Sequence, residues 1–212
     1  MLEGDYYMNN DLTNANNNEN NDNTEVWDAL MKTIFQKGLA TLRPFFPHVE
    51  GLLVNDEKFG QIFIYRVTND FKKSYDCGFF LRELAEQFQD GGREAGEWMA
   101  SFFYELMKTN KGGKELPAPP DSEQKEEQFI DDVLFPHCLS AVSEEFAPLA
   151  ITGNRGLDEN LTPVLELGFK DVPEEKCVFP IHYLYKMMQL NRDPSDTILV
   201  QLAKLRQKYG VE

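Results

Sequence analysis

Cysteine is scarce in this sequence: Cys77, Cys138 and Cys177 are the only three in 212 residues, an odd number with no C-x-x-C pair. That arithmetic excludes a disulfide framework and leads us to expect a reducing, cytoplasmic setting. No apolar run approaches the length that crosses a bilayer. The opening MLEGDYYMNN also lacks the basic and apolar regions of an export signal. Positive charge is short as well, with 21 Lys and Arg against 36 Asp and Glu, a net charge of -15. Such a surface opposes phosphate backbones and anionic lipid, so neither nucleic acid nor a membrane is an expected partner.

The usual catalytic signatures are missing too. Gly112-Gly113-Lys114-Glu115 lacks the spaced first glycine and the Ser or Thr of a phosphate loop, and there is no G-x-G-x-x-G, G-x-S-x-G, H-E-x-x-H or E-x-x-H. No cofactor is expected. All three histidines stand in a repeated word: FFPHV at 45–49, VLFPHC at 133–138 and VFPIH at 178–182. Zinc would favour such nitrogen and sulfur donors, but the close pairs here are adjacent (His137, Cys138) or five apart (Cys177, His182), which is not a zinc spacing. A plainer expectation is that Pro47, Pro136 and Pro180 begin helices, each preceding Phe folding back as a staple. Cys138 beside His137 is then read as a buried, inert thiol rather than an activated one.

What is present is helical periodicity. Residues 9–23 hold nine Asn in fifteen positions and cannot bury enough surface to offset their ordering, so 1–23 is expected to be a disordered arm. From residue 24 onward, apolar residues recur at threes and fours. Trp27, Leu30, Met31, Ile34 and Phe35 open a first helix, a second run spans Phe59 to Phe71, and a third starts near Asp76 with Phe80, Leu84 and Phe88. QIFIYRV within the second run also fits a strand, and TPVLELGF fits either a Pro-initiated helix or an edge strand. Asp121 and Gln124 form a capping-box signal, and Asp193, Pro194 and Gly210 bracket the last helix. The expected architecture is all-α: an irregular bundle of about seven to eight helices over 24–212, with a Gly/Pro linker at 110–121 between two halves. Pro47, Gly92, Pro136 and Pro180 stand 45, 44 and 44 residues apart, close to a HEAT-like period, but the residues around them do not repeat.

Acid is concentrated in residues 115–175, where fifteen Asp and Glu face only Lys125, Arg155 and Lys170. Glu126, Glu127, Asp131, Asp132 and His137 are therefore the candidate partner-binding residues, and a divalent-cation clamp there is less expected than a solvated helix face. The stretch EEQFIDDVLFPHCLSAVSEEF resembles the F-x-x-x-x-L-x-P helix of TorD-type redox-enzyme maturation chaperones over about twenty residues. The Pro-Asp-His motif associated with that family is absent, since Ser122 follows Pro120-Asp121. The resemblance implies an acidic, cytoplasmic, all-helical chaperone. The functional expectation is a non-catalytic module engaging a basic or amphipathic partner segment. An alternative is an acidic mimic of nucleic acid that occupies a DNA-binding protein.

Overall fold

A computed structural model describes residues 20–90, 92–109, 116–120, 122 and 125–211. It overturns the all-α expectation. The chain folds as two halves that repeat one order of elements: a long helix, an antiparallel three-stranded meander, then two helices. The first half contains α1 (Asn20–Leu42), β1 (His48–Asp56), β2 (Gly60–Thr68), β3 (Ser74–Phe80), α2 (Leu81–Asp90) and α3 (Gly92–Thr109). The second contains α4 (Glu126–Phe129), a π-helical turn (Ile130–Leu134), α5 (Phe135–Glu145), β4 (Ile151–Leu157), β5 (Pro163–Phe169), β6 (Cys177–Pro180), α6 (Ile181–Gln189) and α7 (Pro194–Tyr209). The sheets run β1-β2-β3 and β4-β5-β6. Because α1 starts at Asn20, helix enters the expected arm; residues 1–19 and the proposed capping box at Asp121 and Gln124 lie outside the described residues.

The repeat is visible in the packing. Gly51 of β1 pairs with Tyr65 and lies under Phe35 of α1, so that a Cβ there would come within 2.6 Å of the Phe35 ring. Gly153 of β4 pairs with Leu167 and lies under Leu139 of α5 in the same way. In both halves a glycine lets the preceding helix press on the first strand. The register continues through Phe63 with Phe79 and Leu165 with Phe179, and both third strands run directly into a helix. The true period is therefore about one hundred residues per half, not the forty-four of a solenoid.

Each half has its own core. Leu42, Phe63, Tyr65, Phe79, Met99 and Phe103 centre the first, and Leu134, Leu165, Leu167, Phe169, Ile198 and Leu202 centre the second. A third cluster, Ile62, Phe80, Met187 and Leu190, seals the seam between them. Gly78 N–H donates to the Leu190 carbonyl at 3.0 Å, and Phe80 stacks on Tyr183 at 4.9 Å. This seam is why β2 reads as a helix in sequence. Its Phe63, Tyr65 and Val67 face the first core while Ile62 faces the seam, so the run loses the polar alternation of a half-buried strand.

The proline expectation holds at two of three positions. Pro180 ends β6 and is the N-cap of α6. Pro47 instead precedes a strand. Pro136 stands in the first turn of α5, whose helical course continues from Glu126 through the π-helical turn. A proline there lacks an amide hydrogen and crowds the carbonyl one turn back, and the π-helical turn widens the helix at that point. Asp193 caps α7 as expected, accepting from the Ser195 amide, with Pro194 in the first turn and Gly210 left-handed at φ 61°. No described helix is long and apolar enough to cross a membrane.

Candidate functional site

The five residues expected to bind a partner do not form one face. Glu126, in the first turn of α4, meets His182 Nδ1 of α6 at 3.2 Å. Asp131 is bonded by Arg155 of β4, and Asp132 accepts from Gln128 at 3.3 Å, while Glu127 is exposed. His137 is turned inward, its Nε2 2.9 Å from Asp193 Oδ1 at the start of α7. Two His–carboxylate contacts thus fasten the α4–α5 helical course to α6 and α7. Three of the four carboxylates already have partners within the fold.

His137, Asp193 and Ser195 invite comparison with a hydrolase triad, but the order of contacts is wrong. Ser195 Oγ donates to Asp193 at 2.6 Å, and Ser195 is buried. A nucleophile needs its base on the hydroxyl and an open approach, and this serine has a carboxylate and no access. Burial tends to raise Asp193, yet hydrogen bonds from His137 and Ser195 hold it below the ordinary carboxylate value. The arrangement is a helix cap. Burial likewise pushes the Cys77 and Cys138 thiols up to about 12, which keeps both protonated and unreactive. Among the described residues no group of three or more His, Cys, Asp and Glu could hold a metal ion.

The seam holds the one buried charge pair of note. Arg192 has a side chain only 2% exposed, donating to Glu83 at 2.5 and 3.2 Å and packed over Phe102, Phe79 and Trp98. Tyr183 O–H adds a third donor to Glu83 at 2.7 Å. The guanidinium of one half is thus enclosed by aromatic rings of the other. Lys186 reaches across to Asp56 at 2.6 Å, and that bond with the Phe59 and Lys58 amides lowers Asp56 despite its burial. These contacts join the halves.

Two hollows exist. One of about 480 Å³ lies between residues 116–120 and α6, walled by Tyr185, Met188 and Glu126. The other, about 680 Å³, lies between the end of α5 and α7 and is lined mainly by Phe146, Leu199, Val200 and Ala203. Ser122 and Glu126 both line the first hollow, and Glu126 is bonded there to His182 rather than to Ser122.

Exposed apolar side chains also gather on α1 and β1 of the first half. Val26, Trp27 and Leu30 of α1 are 69%, 50% and 44% exposed, and Leu52 and Leu53 of β1 are 58% and 40% exposed. The five-residue turn after α1 sends β1 back antiparallel to it, and Phe35 lies over Gly51. Leu53, two residues on, lies on the same face of β1 that Phe35 of α1 covers at Gly51. Met31 and Ile34 continue the α1 stripe into the core. Sequence reading set Trp27 and Leu30 on the apolar stripe of a first helix and began another helix at Pro47, where β1 follows instead. The available signal was VEGLLVND followed by a turn at DEKFG, where Gly60 has φ 71°.

No family model matches this chain, and neither the curated proteins nor the solved structures contain a significant match to it. The TorD-type expectation falls with the all-helical fold it implied.

Proposed function

We propose that this chain is a non-catalytic protein-binding module that engages a basic or amphipathic segment of a partner. The observation that carries the reading is a set of uncovered apolar side chains, Val26, Trp27 and Leu30 on α1 and Leu53 and Leu52 on the two faces of β1, set in acidic sequence. Residues 20–30 contain Asp22, Glu25 and Asp28 with no Lys or Arg, and residues 44–57 contain Glu50, Asp56 and Glu57 with none. Apolar anchors within a negative rim suit a partner that is apolar and positive. The reading moves the binding surface from the acidic α4–α5 course to α1 and β1. A nucleic-acid mimic needs free, regularly spaced carboxylates, and the pairing of Glu126 and Asp131 argues against one there. Three free cysteines accord with a reducing, cytoplasmic setting.

Cross-linking of the tagged chain in its native cell, followed by mass spectrometry, tests the reading. A partner cross-linked through Lys32 or Lys58, and lost when Trp27→Glu and Leu30→Glu are introduced together, is the expected result. Absence of any cross-linked partner, or capture indifferent to that double change, would overturn it.

A further inference from the structure

We infer that the partner segment is an extended strand of alternating apolar and basic side chains, added to the open edge of β1 as a fourth strand of its sheet. This rests on the protein-binding reading and specifies its mode. Edge strands of stable monomers are blunted by brevity, proline, lysine, bulges or a covering element. β1 is lightly guarded: it is nine residues long, contains no Pro, Lys or Arg, pairs with β2 without a break from His48–Thr68 to Asp56–Gly60, and carries one exposed charge short of its end, the negative Glu50, which repels acid and suits a cation. Among the described residues its backbone is bonded only to β2.

The other edges differ. β3 is engaged on its outer side, where Gly78 N–H donates to Leu190 and Asn191 Nδ2 donates to the Asp76 carbonyl. β4, the counterpart of β1, is shorter, and its centre reads Gly-Asn-Arg-Gly, with Arg155 supplying the charge that deters pairing. The two halves share a fold, yet among the described residues β1, unlike β3 and β4, keeps a long edge with no Lys, Arg or backbone bond on its outer side.

The two faces of β1 fix the alternation. On the face that α1 covers an added strand would set its side chains beside the exposed Leu53, which favours apolar residues. On the other side they would lie beside Glu50 and Leu52, where an aliphatic stem ending in a cation fits. Successive residues of a strand point to opposite faces, so the partner alternates. A second copy of this chain is the weaker occupant, because it would bring another net charge of -15 to the same edge.

Three nine-residue peptides test this: alternating Val and Lys, alternating Val and Glu, and the Val/Lys peptide with a central Pro. Each is titrated by fluorescence anisotropy, with amide shifts mapped by NMR. The Val/Lys peptide is expected to bind saturably and to shift amides in 49–55. At least tenfold weaker binding is expected for the Glu and Pro peptides, and for a folded Leu52→Lys/Leu53→Lys variant with the Val/Lys peptide. Equal binding by the Glu or Pro peptide, shifts confined to the α5–α7 hollow, or no binding at all would overturn the strand mode. So would a β1-dependent dimer in sedimentation. Partner capture that survives Leu52→Lys/Leu53→Lys also refutes this mode, whereas failure of the wild-type chain to capture anything refutes the parent reading.

Discussion

Arg192 and Glu83 are worth more as a pair than either is alone. Each belongs to a different half, and the guanidinium is almost fully buried. Arg192→Met removes the charge that compensates Glu83 and is expected to cost about 3–5 kcal/mol of stability. Arg192→Met combined with Glu83→Leu should recover much of that loss, because no charge is then stranded. Urea denaturation of both variants checks it, and equal destabilisation by the two would contradict the account. Asp196 offers the opposite sign. Although Asp196 stays exposed at the start of α7, partial desolvation there, together with the nearby Asp193 and Glu105 carboxylates, raises it to about 6 from 3.8. Between those values the folded chain binds the proton more tightly than the unfolded chain, so this group lowers stability as pH rises through about 6. Asp196→Asn is expected to raise Tm at pH 7, with the gain shrinking toward pH 4. A gain that grew on acidification would contradict the assignment.

At the scale of the element, β1 is dispensable to packing where its leucines meet solvent. Leu52→Lys/Leu53→Lys is expected to change stability by no more than about 0.5 kcal/mol per site while abolishing partner binding, and thermal unfolding measures the first half of that statement. The same exposure made β1 hard to read, since VEGLLVND has neither the alternation of a half-buried strand nor the fours and threes of a helix. β2 was left open between helix and strand, and β3 was read as helix for the converse reason: Cys77 to Phe80 are all buried, and Phe80 leads directly into Leu84 and Phe88 of α2, which prolongs a helical rhythm backwards through a strand. α7 was legible because its signals are local, a capping Asp193, a Pro194 and a left-handed Gly210. The candidate site was legible only as a preference for a basic partner. Its location depended on which apolar residues the rest of the chain leaves uncovered, and no local pattern reports that.

Across the whole molecule, two α–β–β–β–α–α halves with separate cores are held together by a thin seam. Gly78 is its tightest point, since a Cβ there would collide with Leu190. Gly78→Ala is expected to cost about 1–3 kcal/mol and to loosen the halves, read as earlier proteolysis within 110–121. Unchanged cleavage would argue that the seam does not couple them. The seam also occupies one edge of the first sheet, and in doing so leaves β1 as the edge still open. Amide hydrogen exchange resolved by residue tests that arrangement most directly. In the free protein, β2 amides from Ile62 to Val67 should be uniformly slow, while Val49 to Asn55 alternate, slow where they face β2 and fast where they face solvent. Uniform protection along β1 would mean its edge is already covered, and a helical pattern there would return the chain to the bundle its sequence suggested.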